Sequence, residues 1–199
     1  MNLSEMIALV RKDLHDEDSG NYQWSDAELT RHIDRAVREL SEKIPLPSKA
    51  TLPTTSGSRE LDISGLSNRI MVEVVEYPVE ASPPAYQRFS IWGDTLTFIS
   101  GSEPDGSNCY VYYGALHTLD ADGSTVPAKY DDLVATGACG YAAIEWAAYA
   151  INKVNVGGAM TPGEFRLWGS ERLGLFRERL DRLGRRQRVR NQQLFESES

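Results

Sequence analysis

The sequence predicts an α+β chain: a mainly helical bundle of about four helices with an inserted small antiparallel β lobe and an extended C-terminal tail. Three observations predict it. Apolar residues recur at helical spacing near the N-terminus and again after Pro127. Between Thr51 and Leu119 that period gives way to short β-branched and aromatic stretches punctuated by Gly, Ser and Pro. The last helical pattern then runs into an arginine-rich stretch. The expected organisation is an N-terminal helical hairpin over 1–46, the β-rich lobe over 47–124, a C-terminal helical hairpin over 125–184 and a basic tail over 185–199.

The first helix spans Leu3 to Leu14, with Leu3, Ile7, Val10 and Leu14 as its apolar stripe and Asn2 and Glu5 as its cap. The acidic stretch Asp16-Glu17-Asp18-Ser19-Gly20 reads as a polar loop. Ser25-Asp26-Ala27-Glu28 is a capping box, and Trp24 with Leu29 forms a hydrophobic staple. Leu29, Ile33, Val37, Leu40 and Ile44 make the buried face of that second helix, which Pro45 and Pro47 stop.

Strands are expected at Arg59–Ile63, Ile70–Tyr77, Arg88–Trp92, Thr95–Ile99 and Cys109–Tyr113. Trp92-Gly93-Asp94-Thr95 reads as a tight hairpin. Leu96, Phe98, Val111 and Tyr113 should alternate onto one face. Tyr77, Tyr86, Trp92, Tyr110, Tyr112 and Tyr113 are either the lobe's own core or a binding face for a sugar, a strand or a neighbouring subunit.

The third helix, about Ala128 to Lys153, is dense in Ala and Gly, with Glu145 as its lone charge between Asp132 and Lys153. A helix so composed is buried nearly all round, and it should be the centre of the bundle, ended by Gly157-Gly158. The fourth starts at Thr161-Pro162-Gly163-Glu164 and buries Phe165, Trp168, Leu173, Phe176, Leu180 and Leu183. Gly184 suits a left-handed stop.

Composition narrows the function. The chain has 199 residues, 41% hydrophobic and 25% charged, enough for one core plus a smaller lobe. No apolar run nears the ~18 residues of a membrane span, and no signal peptide is read at the N-terminus. Cys109 and Cys139 have no ligand-like spacing and are expected as buried thiols. His15, His32 and His117 stand alone, each a surface or hydrogen-bonded structural residue. No phosphate loop, dinucleotide fingerprint or nucleophile elbow is present, so no catalytic residue, cofactor or metal is assigned. Asp120-Ala121-Asp122-Gly123 reads as a polar turn, since its glycine is misplaced for a calcium loop.

Charge is uneven. From Glu164 to Arg190 nine arginines face Glu164, Glu171, Glu178 and Asp181, a local +5 in a chain of -8, so the remainder carries -13. A basic end on an acidic body argues against general binding to DNA phosphates, which needs a broad positive face. It fits docking on an acidic protein surface.

In order along the chain, Leu9-Val10-Arg11-Lys12-Asp13-Leu14, Trp24-Ser25-Asp26-Ala27-Glu28-Leu29 and Tyr113-Gly114-Ala115-Leu116-His117-Thr118-Leu119-Asp120 resemble the tailed-bacteriophage head-to-tail adaptor family. So do Trp146-Ala147-Ala148-Tyr149-Ala150, Asn152-Lys153-Val154-Asn155-Val156-Gly157-Gly158 and the arginine-rich final helix. The resemblance implies a structural virion protein without catalytic residues. It implies a twelve-copy ring beneath the portal, joined to a downstream neck or tail protein, through which double-stranded DNA passes. It also implies that the C-terminal segment docks on the portal, here through Arg185, Arg186, Arg188, Arg190, Leu194 and Phe195. The protein would be made in the host cytoplasm and reside in the virion neck. Two other classes remain open: a phage-encoded acidic binding protein that mimics nucleic acid or inhibits, and a glycan- or partner-binding module acting through the aromatic lobe.

Overall fold

The computed structural model describes residues 1–99, 101–150 and 161–192, with side chains to 185. The chain forms two compact units, one made of residues 1–44 with 117 onward, the other of residues 45–116. The fold is α+β, as the sequence predicts.

In the helical unit, α1 (Leu3–Leu14) begins at the predicted capping box: Asn2 Oδ1 accepts from Glu5 N, and Glu5 accepts from Asn2 N, both at 2.9 Å. Helix α2 (Asp26–Lys43) starts at the predicted Ser25/Glu28 box, with Trp24 and Leu29 buried beside it. A 3-10 turn (Ala128–Tyr130) leads into α3 (Asp131–Ala150), and Thr161 with Glu164 caps α4 (Pro162–Gln192). The expected continuation of α3 to Lys153 and its ending at Gly157-Gly158 lie outside the described residues.

Helix α3 is the hub. Helices α1, α2 and α4 all pack on it, and thirteen of its residues are buried, from Asp131 through Ala138 and Cys139 to Ala147 and Ala150. Glycine sets the spacing to α4: a Cβ on Gly169 would lie 2.9 Å from the Gly140 carbonyl oxygen, and one on Gly140 would lie 2.8 Å from Leu173 Cγ. Backbones this close leave no room for a methyl group.

Helix α4 does not stop at Gly184. It continues to Gln192. Gly184 is there for packing rather than for a left-handed turn, since a Cβ would come within 3.3 Å of the Lys43 carbonyl oxygen. A helix-interior glycine costs only about 1 kcal/mol, too little to end a helix held by its neighbours.

The loop between α1 and α2 is not simply polar. Arg11 and Asp16 are both buried and paired with each other. The guanidinium also donates to Trp24 O at 2.9 Å and to Asp26 Oδ1 at 2.7 Å, and the ring of Tyr22 covers it. Asp16 accepts in turn from Gln23 N at 2.7 Å. Both partners thus have several hydrogen bonds besides their own contact, which is what makes the burial tolerable.

The β unit holds two antiparallel sheets around one core of Leu61, Ile63, Leu66, Val75, Leu96, Phe98 and Val111. Strands β1 (Leu46–Pro53), β2 (Glu60–Asp62), β3 (Arg69–Glu76), β4 (Tyr86–Gln87), β5 (Phe89–Trp92), β6 (Thr95–Phe98) and β7 (Asn108–Ala115) form a four-stranded sheet ordered β1-β7-β3-β4 and a three-stranded sheet ordered β2-β6-β5. Leu96 and Phe98 thus come from one sheet and Val111 and Tyr113 from the other, all against the same core. Strands β1 and β4 are additions to the strands that the sequence pattern predicts. Strand β1 carries Pro47 and Pro53, which a central strand excludes, but it is an edge, where one side of the ladder needs no donor. The expected hairpin forms, with Trp92 opposite Thr95 and Gly93 at φ 60°.

Two stability predictions follow from the helical unit. Gly169→Ala should lower stability by about 1–3 kcal/mol through overpacking. Gly174→Ala, where a Cβ would meet nothing within 4 Å, should raise it by about 0.5–1 kcal/mol. Urea unfolding of both variants reads the opposite signs. Arg11→Met should cost about 3–5 kcal/mol by leaving the Asp16 carboxylate buried without its counter-ion, and adding Asp16→Leu should recover part of that loss in the same assay.

Candidate functional site

Two surfaces of the helical unit are rich in arginine. The first is the end of α4. Gly184 is the last buried residue described on it, and the helix then runs on through residues 185–192. Eight residues are about 12 Å of helix. Arg185 is exposed, and its Nε donates to Asp181 O at 3.3 Å. Arg186, Arg188 and Arg190 lie on the same helical segment, while Leu194 and Phe195 fall outside the described residues. The four arginines are thus carried on a helix rather than on an extended tail. Their charge also complements the negative C-terminal end of the helix dipole.

The second surface is a groove of about 770 Å³ between α2 and α4, with Glu145 of α3 also in its lining. Its ridge is Arg31, Arg35 and Arg38, spaced i, i+4, i+7 on α2. Five carboxylates, Asp34, Glu39, Glu42, Glu145 and Asp181, lie among five cations in its lining, and several are paired with them. Glu145 pairs with Arg31. Glu39 accepts from Tyr141 and lies 3.4 Å from Arg177 Nε. The Arg35 guanidinium stacks on the Tyr141 ring, 4.0 Å from its centroid, and Lys43 Nζ is 2.7 Å from Asp181. Burial pushes the Tyr141 hydroxyl's pKa up, and the Glu39 hydrogen bond adds to the shift. Glu39 and Tyr141 push that of Arg177 up.

His32, only 4% exposed, also lines the groove. Its Nε2 is 3.3 Å from Glu145 Oε2, within ion-pair reach, yet it has no hydrogen-bond partner of acceptable geometry. Burial lowers the His32 pKa, opposed by the Glu145 carboxylate, so the ring is neutral near pH 7.

The other two histidines are structural. His15 ends α1 in the left-handed conformation. His117 is buried, with Nδ1 2.9 Å from Thr125 O and Nε2 3.1 Å from Ile44 O, and its backbone N–H donates to Ser41 Oγ at 2.9 Å. Asp120 closes the predicted polar turn by accepting from Asp122 N and Gly123 N at 3.0 Å. Cys109 and Cys139 are buried free thiols, their pKa values pushed up to about 11 and about 12 by desolvation.

In the β unit the aromatic residues divide. Tyr77 packs on Phe98, and Tyr113 lies against the core. Tyr86 and Trp92 face solvent. Tyr110 and Tyr112 stand on the outer face, donating to Glu80 at 3.1 Å and Glu76 at 2.8 Å beneath Lys49.

A family model described as SU10 adaptor protein matches residues 1–194. The chain belongs to that family. It is thus a bacteriophage adaptor, a structural protein, as the order of its motifs implies. No curated protein matches the sequence. The match spans both units of the adaptor and reaches into the basic end of α4. Among the described residues no helix is long and apolar enough to cross a membrane.

Sequence reasoning placed the arginines of α4 but missed the groove. The spacing of Arg31, Arg35 and Arg38 was legible as a row on one helix face. What it faces depends on where α4 crosses, which no local pattern reveals.

Because burial lowers the His32 pKa below its usual value of 6.5, the unfolded adaptor takes up a proton that the folded one resists. The resulting stability is present above pH ~6.5 and is lost as the pH falls below it. His32→Gln should therefore show a smaller drop in melting temperature between pH 7.5 and pH 5.5 than the native chain. An equal drop in both would contradict the assignment.

Proposed function

We propose that this adaptor forms a ring of twelve copies beneath the portal of a tailed phage, in the virion neck, and joins the capsid vertex to the downstream neck or tail protein. The basic end of α4 docks on the portal through Arg185, Arg186, Arg188 and Arg190, with Leu194 and Phe195 beyond them. The observation that carries this reading is the continuation of α4 as a helix past Gly184, with arginines along the extension. A segment already helical has lost much of its backbone freedom before it binds. Ordering each residue would otherwise cost about 1–2 kcal/mol.

Exposed arginine pairs contribute only about 0–1 kcal/mol each and weaken with salt, so the arginines steer and orient. Leu194 and Phe195, at roughly 1.5–3 kcal/mol each when buried, would hold the contact. A ring presents many such ends at once, and avidity raises affinity by about 10²–10⁴. Double-stranded DNA passes through the ring without sequence-specific contact. The -13 carried outside Glu164–Arg190 favours its sliding, because like charge repels the phosphate backbone.

Truncation after Gly184 keeps Leu173, Phe176 and Leu180, which pack α4 into the core, so the bundle should stay folded. Portal attachment should be lost. Binding of intact and truncated chains to purified portal, followed by electron microscopy and sedimentation, measures it. A truncated chain that decorates portal as fully as the intact one would sink the docking role of this segment.

A further inference from the structure

The two sheets of the β unit end in four outer strands, and three of these are blunted. Strand β1 carries Pro47, Lys49 and Pro53, and β4 is only Tyr86–Gln87. Strand β2 exposes two carboxylates, Glu60 and Asp62. Proline, charge and shortness each keep a sheet edge from pairing with another chain. The fourth outer strand, β5, has none of these: Phe89-Ser90-Ile91-Trp92 carries no proline and no charge. Ile91 is 38% exposed and Trp92 90% exposed.

The hydrogen-bond phase of this edge is fixed by its partner strand. Ser90 lies opposite Thr97 and Trp92 opposite Thr95 on β6, and just before β5 Ile99 N donates to Arg88 O at 2.9 Å. Bonded and non-bonded pairs alternate in an antiparallel ladder. Residues 88, 90 and 92 therefore turn their backbone groups to β6, and Phe89 and Ile91 turn theirs outward. As β5 ends its sheet, those outward groups face no strand. The side chains of Phe89 and Ile91 lie opposite Phe98 and Leu96, on the core face. The apolar face thus runs on to the open edge.

We propose that β5 pairs antiparallel with β5 of a second copy, about a two-fold axis at Ser90. In this register Phe89 of each copy lies opposite Ile91 of the other, and each such pair exchanges both backbone hydrogen bonds. Their side chains meet on the core face and close it. On the outer face Ser90 meets Ser90, Trp92 stands opposite Arg88, and no like charges meet. A shift of two residues either way would carry one outward residue of each copy past the end of the other's β5. The edge therefore matches itself, which selects a second copy as its occupant. One sheet then runs from β2 of one copy to β2 of the other. A two-fold contact closes at two copies, so it belongs to the free adaptor and not to neighbours in a ring, and the proposal does not rest on the ring reading. A strand this short makes an interface below the roughly 1,000 Å² of a lasting complex, so the dimer exchanges with monomer and can be given up on assembly.

The test uses the full chain in sedimentation velocity over a wide concentration range. The native chain should dimerise reversibly and with little dependence on salt, since no ion pair crosses the seam. Ile91→Pro removes an outward N–H without removing a bond to β6. Ile91→Lys puts a charge on the seam and serves if the proline variant fails to fold. Each should weaken dimerisation at least about tenfold. Ser90→Cys reads the register. The axis sets the two copies of residue 90 opposite each other at a Cα separation of about 4.5 Å, within disulfide reach. Cys109 and Cys139 are buried and do not compete. Thr95→Cys, exposed on β6 and one strand away from the seam, is the control. Ser90→Cys should cross-link at least about tenfold faster, because the control cysteines lie beyond bridging distance. The proposal is overturned if the Ile91 variants dimerise like the native chain or if the two cysteine variants cross-link equally fast. A native chain that stays monomeric throughout also overturns it and would leave the edge to a strand of another protein. Ile91→Lys should still decorate portal; loss of decoration would assign the edge to the ring and overturn the two-fold pairing.

Discussion

The close approach of α4 to α3 is the constraint on which the helical unit depends. With Gly140 and Gly169 against each other's backbones, α3 can serve as the post on which α1, α2 and α4 all pack. Larger residues there would push α4 outward and separate Phe176 and Leu180 from the core they complete. The alanine-rich composition of α3 is thus a demand of geometry: a helix surrounded by others must be thin, and its stability comes from the neighbours' large side chains closing on it.

Around that post, polar groups fix what apolar packing leaves loose. Capping boxes set the starts of α1, α2 and α4, and the buried Arg11–Asp16 pair ties α1 to the entry of α2. A pair of this kind adds little net energy compared with apolar packing, but its hydrogen-bond directions are strict. It specifies one path for the chain between two helices that hydrophobic contacts alone would allow to slide.

Helix α4 joins architecture to function. Its inner side completes the core, its middle forms one wall of the α2 groove, and its end carries the arginines that distinguish it from the acidic remainder of the adaptor. One continuous helix thus runs from the core through the groove to the basic end.

The sequence by itself determined the helix starts, the strands flanking the Trp92 hairpin, the buried face of α2 and the central place of α3. Each of these follows from short-range periodicity or from a cap whose partners lie three or four residues apart. The ordered motifs, read together, also pointed to the adaptor family. Tertiary structure alone decided the rest. Pro47 and Pro53 could be strand residues because β1 lies at a sheet edge, and Gly184 could stay helical because Lys43 lies against it. Arg11 could be buried because Asp16, Trp24 and Asp26 converge on it. Likewise, Arg31, Arg35 and Arg38 form the ridge of a groove only because α4 passes beside them. In each case the energy of a residue is set by atoms far away in sequence, and such partners become visible only once the chain has folded back on itself.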